Sequence, residues 1–168
     1  MAEVIETPRL DLVPLAVEHA GEMTGVLDDP ALHTFIGGVP ATEEELRDRY
    51  RRITAGSPDP SVTWLNWVVR LREEDALTGT VQATISDSDL GPVAEVAWVV
   101  GTRWQGRGIA KEAVVALVDW LAGQQVRAVI AHVHPDHAAS AAVAAAAGLV
   151  VTGEWHDGEV RWRRELGA

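Results

Sequence analysis

The stretch "VAEVAWVVGTRWQGRGIAKEA", from Val93 to Ala113, joins three patterns that together decide the fold. Its first eight residues, Val93–Val100, are almost all apolar, which predicts a strand buried on both faces. A turn with two glycines follows. After the turn, apolar residues recur at helical spacing, and Gly123 is placed to end the helix. The apolar positions of this helix are Ala110, Val114, Leu117, Val118 and Leu121.

The segments before this stretch predict a strand, two helices and two more strands. Thr42 is expected to cap the second helix, with Glu45 as its capping-box partner. In chain order, the predicted elements are strand Ile5–Leu15, helix Ala16–Asp29, a helix from Thr42 to Gly56, and strands Thr63–Leu71 and Leu77–Ser86.

After the stretch, Val126–Val133 predicts another buried strand. Asp136 is placed to cap an alanine-rich helix that Gly148 closes, and Asp157-Gly158 is a strong hairpin signal. The element order is therefore β-α-α-β-β-β-α-β-α-β-β. We expect an α/β fold around one mixed sheet, with residues 1–168 forming a single domain.

Composition narrows the possible functions. The chain contains no cysteine, which excludes disulfides, thiolate metal sites and a cysteine nucleophile. The net charge of −11 argues against nucleic acid as a partner and is compatible with a cationic one. The sequence has no apolar run of membrane-spanning length and no signal-peptide pattern. We therefore expect a cytoplasmic protein that does not bind membranes.

The turn after Val100 predicts an anion site. The first N–H groups of a helix lack internal partners, and Gly106 and Gly108 would let a phosphate approach the backbone. Arg103, Arg107 and Lys111 would add positive charge around it. The turn lacks the Gly-Lys-Ser/Thr of a Walker loop and the third glycine of a dinucleotide motif. The pattern alone leaves open a plain strand-to-helix turn with surface arginines.

Here the sequence resembles a family. "QGRGIA", Gln105–Ala110, is similar to the acyl-CoA motif Gln/Arg-x-x-Gly-x-Gly/Ala of the GNAT superfamily of N-acetyltransferases. Three other segments resemble the branch that contains the ribosomal-protein N-terminal acetyltransferases, in the family's order and over nearly the whole chain. They are "ETPRLDLVPL" (Glu6–Leu15), "AEVAWVV" (Ala94–Val100) and "VHPDHAASAAVAAAAGLVVTGEW" (Val133–Trp155).

The resemblance implies the GNAT-like acyl-CoA N-acyltransferase fold, with acetyl-CoA as co-substrate and no metal. It implies acetyl transfer to a small-molecule or peptide amine, by a monomer or homodimer. The coenzyme pyrophosphate would lie on the turn, and the pantetheine amides would pair with the end of the strand before it. The implied coenzyme-binding residues are Trp98, Val99, Val100, Arg103, Gln105, Gly106, Arg107, Gly108, Ile109, Ala110, His137 and Ser140.

Two residues are candidates for proton transfer, although the pattern leaves open a Glu95 that faces the cleft or solvent without such a role and a Ser140 that only hydrogen-bonds locally at the helix start. Glu95 lies in an otherwise apolar strand, where a carboxylate has a raised pKa that suits a general base. Ser140 stands where the ribosomal-protein branch carries a serine thought to act as the acid. The helix there lacks the tyrosine that serves this purpose in much of the superfamily, since the one tyrosine is Tyr50. The usual asparagine is replaced by His137.

Two alternative functions and one further acceptor contact remain open at this level. The missing tyrosine and the replaced asparagine would also suit a non-catalytic acyl-CoA-binding sensor. His132, His134 and His137 could form a zinc site, although no fourth ligand is evident. Trp64 and Trp67 begin a strand that often lines the family's acceptor cleft, where they could contact a cationic amine.

Overall fold

The computed structural model of the chain describes residues 1–35 and 38–167, and these form one mixed eight-stranded sheet packed with α-helices. The strands are β1 (Ile5–Glu6), β2 (Leu10–Pro14), β3 (Val62–Leu71), β4 (Ala76–Ser88), β5 (Gly91–Val100), β6 (Ala128–Val133), β7 (Val150–His156) and β8 (Glu159–Glu165). The α-helices are α1 (Ala20–Val26), α2 (Glu43–Thr54), α3 (Ile109–Ala122) and α4 (Ala138–Ala146).

The sheet has the order β1-β2-β3-β4-β5-β6-β8-β7. Neighbouring strands run antiparallel except β5 and β6, which are parallel. Helix α3 supplies the crossover between these two strands, as a parallel connection requires. The α/β architecture and the mixed sheet predicted from the sequence are confirmed.

The single strand predicted over Ile5–Leu15 is wrong, because the chain reverses at residues 7–9. β1 and β2 pair antiparallel, with Ile5 opposite Leu12. The Thr7 hydroxyl accepts a hydrogen bond from the Leu10 N–H at 2.9 Å, which closes the turn. Pro8 has no N–H to donate to a neighbouring strand, so a reversal at this residue sacrifices no backbone N–H hydrogen bond of Pro8.

Most of the predicted helix and turn signals are observed. Thr42 and Glu45 exchange both capping-box hydrogen bonds, at 3.0 and 3.2 Å. Gly148 adopts a positive φ of 85° after α4. Asp157 and Gly158, with φ values of 49° and 80°, turn the β7–β8 hairpin. The first predicted helix is shorter than expected, because residues 17–19 form a 3-10 turn before α1.

The two faces of the sheet are covered unequally. On one face α3 buries an apolar row that includes Val114, Leu117 and Leu121, packed in the core with Ala94 and Val96 of β5. On the other face α1 and α2 bury a smaller cluster around Val68 of β3; its other members are Ala20, Met23, Leu46, Tyr50 and Leu77.

The prediction that β5 is buried on both faces is therefore wrong. Ala94 and Val96 are buried, but Glu95 and Ala97 between them are exposed. The second face of β5 lies beyond the part of the sheet that α1 and α2 cover. In any strand, including an apolar one, the side chains of successive residues point to opposite faces of the sheet. This open face carries the candidate active site.

Candidate active site

The sheet splits between β5 and β6. Their parallel pairing joins Val93–Glu95 to residues 128–130 and goes no further, while β5 continues to Val100 along β4. Among the residues that the structure describes, no strand pairs with the edge of β5 beyond Glu95 on the side of β6, so this edge faces the gap. Its backbone N–H and C=O groups can pair with an extended ligand. The predicted pantetheine-binding residues Trp98, Val99 and Val100 all lie on this edge.

The glycine turn lies directly after this edge. Gly106 and Gly108 have φ values of 78° and 77°, a region that side chains rarely adopt, and both are exposed. Gly108 is the N-cap of α3, and no side chain of the described residues caps the helix there. The first N–H groups of α3 thus open toward solvent, and the helix dipole adds positive potential. Ile109 is buried, so only its backbone is available to a ligand.

Two arginines of the turn flank one tryptophan. The guanidinium carbons of Arg103 and Arg107 lie 4.9 and 5.4 Å from the ring centroid of Trp104, which is buried. Arg107 also pairs with Glu74 at 3.0 Å. Gln105 donates from its side-chain amide to the carbonyl of Val100 at 3.0 Å, which fixes the turn to the end of β5.

Sequence reasoning missed Arg9, which supports the turn from the other end of the chain. Its guanidinium donates to the carbonyl of Arg107 at 2.9 Å and pairs with Glu112 of α3 at 2.7 Å. Burial raises the pKa of the Glu112 carboxyl, but hydrogen bonds from Thr7 and Arg9 outweigh it and leave that pKa lowered. The contact depends on the β1–β2 reversal, so no sequence spacing could have revealed it.

Glu95 does not lie in the apolar surroundings that its sequence context suggests. Its side chain is 48% exposed, and one carboxylate oxygen lies 2.8 Å from Nδ1 of His132 on β6. His132 is nearly buried, and its Nε2 lies 3.0 Å from Nε of Arg161 on β8. The carboxylate is therefore open to the cleft on one side and held by an imidazole on the other.

Only one of the two candidate acceptor-cleft tryptophans lies on the face of Glu95. Trp64 is opposite Thr84, and Thr84 is opposite Glu95, so the three form one row across the sheet. Trp64 is partly exposed. Trp67 is fully buried against Trp120 in the core, which excludes it from the cleft surface.

Ser140 and His137 are hydrogen-bonded to each other at the start of α4. The helix is capped by His137, not by Asp136 as predicted, because Nδ1 of His137 accepts from the Ser140 N–H at 3.3 Å. A neutral imidazole that accepts at Nδ1 carries its proton on Nε2, which lies 3.1 Å from the Ser140 hydroxyl oxygen. The Ser140 oxygen thus accepts from His137, and its own O–H remains available to donate.

The environment of His137 favours the neutral ring. Burial, followed by the nearby His134, lowers the pKa of the His137 imidazole, although a backbone hydrogen bond and Glu159 oppose this shift. Phe35 stacks on the His137 ring at 4.4 Å between centroids. This contact was also missed, because the chain's one phenylalanine lies in a loop with no periodic signal.

The three histidines of the alternative zinc site are engaged in other contacts. His132 bridges Glu95 and Arg161, and His134 accepts from the Asp136 N–H at 3.0 Å. Within residues 1–35 and 38–167, no group of three or more histidine, aspartate or glutamate side chains is arranged to hold a metal ion. No helix in the same residues is long and apolar enough to cross a bilayer.

Comparison with known proteins agrees with the resemblance to the GNAT superfamily. The profile of the "Acetyltransferase (GNAT) domain" family matches residues 9–150. An uncharacterized N-acetyltransferase, p20 of Bacillus licheniformis, is 28% identical over 119 residues, which span 70% of this chain and 65% of that protein. The matched segment is thus just under two thirds of that relative's length.

Two solved structures are similar over nearly their whole lengths. An acetyltransferase from Agrobacterium tumefaciens is 26% identical, with a TM-score of 0.72, and the match covers 98% of this chain and 95% of that one. The ribosomal L7/L12 α-N-protein acetyltransferase RimL, in complex with coenzyme A, has a TM-score of 0.79 at 17% identity, with coverage of 97% and 98%. The likeness to RimL is one of fold.

Proposed function

The chain belongs to the GNAT acetyltransferase family, and from that membership we propose that it transfers an acetyl group from acetyl-CoA to a primary amine. The observation that carries the proposal is the unpaired edge of β5, which ends at the glycine turn that begins α3. An extended amide-bearing arm and a pyrophosphate need those two features side by side.

The residues present fit the coenzyme. The exposed turn from Gln105 to Gly108 has no Cβ at either positive-φ position, so a phosphate can approach its backbone. Arg103 and Arg107 supply charge beside it, and the N–H groups of Ile109 and Ala110 open the helix. Acetyl-CoA, when bound, supplies an activated thioester carbonyl and a thiol leaving group.

Glu95 is the group best placed to act as general base. An alkylammonium has a pKa near 10, so one proton must leave the nitrogen before it can attack a carbonyl. Glu95 is at the point where β5 and β6 part and is half exposed to the cleft. It can take that proton and release it to solvent, while a second proton leaves the nitrogen as the amide forms.

Ser140 is the group best placed to assist the leaving sulfur. The His137 Nε2–H donates to its oxygen, so the hydroxyl proton can be given to sulfur and recovered from water in the cleft. This assistance would be moderate, since a thiol with a pKa near 8.5 leaves fairly well without help.

We further propose a peptide or protein N-terminus as the acceptor. RimL acts on the α-amino group of ribosomal L7/L12, and this chain shares its fold. The open sheet face beside Glu95 offers polar side chains on several strands, including Gln82 and Thr84 on β4, and the partly exposed ring of Trp64 on β3. Such a face suits an extended chain with an amino terminus better than it suits a small enclosed ligand.

The test is a thiol-release assay with acetyl-CoA and a panel of amines: peptides with free N-termini, amino acids, polyamines and aminoglycosides. The matched control for each peptide is the same peptide with its N-terminus already acetylated. We expect thiol release with free peptides and background release with blocked ones. Coenzyme binding without release for any amine would instead support a non-catalytic acyl-CoA-binding module.

A further inference from the structure

We propose that His132 is a positioning residue that holds Glu95 for proton transfer, and that Arg161 fixes the tautomer in which it does so. The inference rests on the proposed function, in which Glu95 receives the proton of the amine. It adds a role for a histidine that the sequence suggested only as a metal ligand. It also gives the half-exposed carboxylate a hydrogen-bond partner that can hold its orientation.

The tautomer follows from the partner on the far side of the ring. A guanidinium has only donors, so the contact of 3.0 Å between Arg161 Nε and His132 Nε2 requires Nε2 to accept. The neutral ring then has its one proton on Nδ1, which lies 2.8 Å from Glu95 Oε1. A proton on Nε2 would point at the Arg161 N–H, so the contact with Arg161 holds the ring proton on Nδ1.

The same contacts show which of the two residues can accept the substrate proton and which one only holds the other. Both nitrogens of His132 are occupied, and its side chain is 9% exposed, so it has no free nitrogen for a substrate proton. Glu95 is 48% exposed, and the bond from His132 occupies one of its two oxygens. The second oxygen remains for the amine. His132 therefore acts through Glu95 and is not itself the base.

The support extends to the C-terminal hairpin. Arg161 pairs with Glu154 of β7 at 2.9 Å, and the ring of His156 packs 4.9 Å from that of His132. The side-chain contacts Glu95–His132–Arg161–Glu154 therefore form a continuous series from the cleft to β7, the edge strand of the sheet. The hairpin that follows α4 would in this way determine how the carboxylate on β5 is held.

Two substitutions at His132 separate its two hydrogen bonds. The amide nitrogen of asparagine can occupy the region of Nδ1, whereas that of glutamine reaches the region of Nε2. We expect His132→Asn to keep the donor to Glu95 and to retain kcat within ~3-fold, and His132→Gln to lose ~10-fold, a fraction of the full effect of a general base. The KM for acetyl-CoA should be unchanged in both. Equal kcat in the two variants, or a slower asparagine variant, would overturn the proposal.

A double substitution shows whether His132 acts through Glu95. In the Glu95→Gln background, His132→Gln should cause no further loss, because residues of one hydrogen-bonded unit are not additive. A further loss of the same size would overturn the positioning role. If Glu95→Gln alone leaves turnover unchanged, the proposed base itself is wrong, which is a different result.

The tautomer can be measured without any acceptor. The ¹⁵N NMR shifts of the His132 ring in the intact protein should show Nδ1 protonated and Nε2 unprotonated. Arg161→Met removes the donor to Nε2 but leaves Glu95 to accept from Nδ1, so in that variant the share of the Nδ1-protonated tautomer should fall without being lost. An Nε2-protonated ring in the parent protein would refute the inference even if the His132 variants fail to fold.

Discussion

Gly79 on β4 lies so close to Val99 on β5 that a side chain at Gly79 would collide with the Val99 carbonyl oxygen. A Cβ built there would also lie 3.0 Å from Cα of Val100, tighter than nine in ten real Cβ contacts. Gly79 is opposite Val100 in the strand register. The strand end that we propose as the pantetheine edge therefore has its position only because residue 79 has no side chain.

Gly79→Ala should weaken acetyl-CoA binding and lower stability together. The methyl group can be accommodated only if Val99 and Val100 shift, since the obstructing atoms belong to the backbone. We expect a destabilisation of ~1–3 kcal/mol, as for other overpacked sites, and at least a tenfold rise in the Kd for acetyl-CoA, measured by calorimetry. Gly153→Ala on β7 is the control, because nothing lies within 4 Å of its Cβ position. Unchanged coenzyme affinity in Gly79→Ala would show that this strand end does not hold the ligand.

Gly108→Val should abolish coenzyme binding in a protein that still folds. Acetyl-CoA at about 100 times its Kd should stabilise the parent by ~2.7 kcal/mol, which appears as a rise in Tm. Valine at a φ of 77° is strained and places a branched side chain on the turn. Gly56→Val is the control, because Gly56 also has a positive φ, of 91°, and is far from the turn in the sequence. Nothing lies within 4 Å of its Cβ position, so the variant introduces the backbone strain alone. It should lower Tm but keep the ligand-induced rise. A normal ligand-induced rise in Gly108→Val would remove the turn from the coenzyme site.

His137→Asn should make stability less dependent on pH below neutrality. The folded-state pKa of His137 is lowered from 6.5, so as pH falls the unfolded chain binds this proton first. The parent therefore loses stability as pH falls from about 6.5 through the lowered pKa, and loses none from this group above that range. Asparagine does not titrate, and its oxygen can accept the Ser140 N–H as an N-cap.

The measurement is the free energy of unfolding of both proteins between pH 7.5 and pH 5. Every other titrating group is common to the two, so the difference between them isolates His137. We expect the difference to move in favour of the asparagine variant as the pH falls. A difference that stays constant over this range would contradict the lowered pKa and the neutral ring inferred from it.

Local signals in the sequence predicted the fold and the turn. The glycines at 106 and 108 mark the turn before α3, because a positive φ is a property of single residues and needs no tertiary context. The capping box of Thr42 and Glu45 was predictable for the same reason. The cap of α4 was misplaced by one residue, because a histidine nitrogen at position 137 can accept as the Asp136 carboxylate would.

The contacts between distant segments could not be predicted. The exposure of Glu95 depends on how far α1 and α2 extend across the sheet, which an apolar run on one strand does not encode. Arg9 reaches the turn only after the reversal at residues 7–9, and Phe35 reaches His137 from a loop. The partner of His132 lies on β8, whose register with β6 was not derivable from either strand alone.

Glu95→Gln should reduce turnover strongly with little change in coenzyme binding. Glutamine keeps the size of the side chain and can still accept from His132, but it cannot take up the proton of the amine. We expect a loss of ~10²- to 10⁴-fold in kcat at neutral pH, the usual contribution of a positioned general base. The loss should shrink as pH rises, because more of the amine is then neutral without help. Parent-like turnover at pH 7 would exclude Glu95 from the mechanism.

Ser140→Ala should have a moderate effect that depends on the leaving group. The variant removes the only hydroxyl of α4 and leaves Nε2 of His137 without its present partner. Because a thiolate leaves fairly well unassisted, we expect kcat to fall by ~10- to 10²-fold, with coenzyme affinity within a few-fold of the parent.

The informative comparison for Ser140 uses a second acyl donor whose thiol has a lower pKa. A better leaving group needs less protonation as the carbon–sulfur bond breaks, so the defect of Ser140→Ala should nearly vanish with that donor. Residues that only orient the coenzyme would not show this dependence, since they hold both donors in the same way. A defect of equal size with both donors would therefore mean that Ser140, on the His137 side of the cleft, positions the thioester and does not protonate it. Thermal unfolding of the same variant checks that α4 is still capped, because the N-cap bond from the Ser140 N–H to His137 belongs to the backbone and survives the substitution.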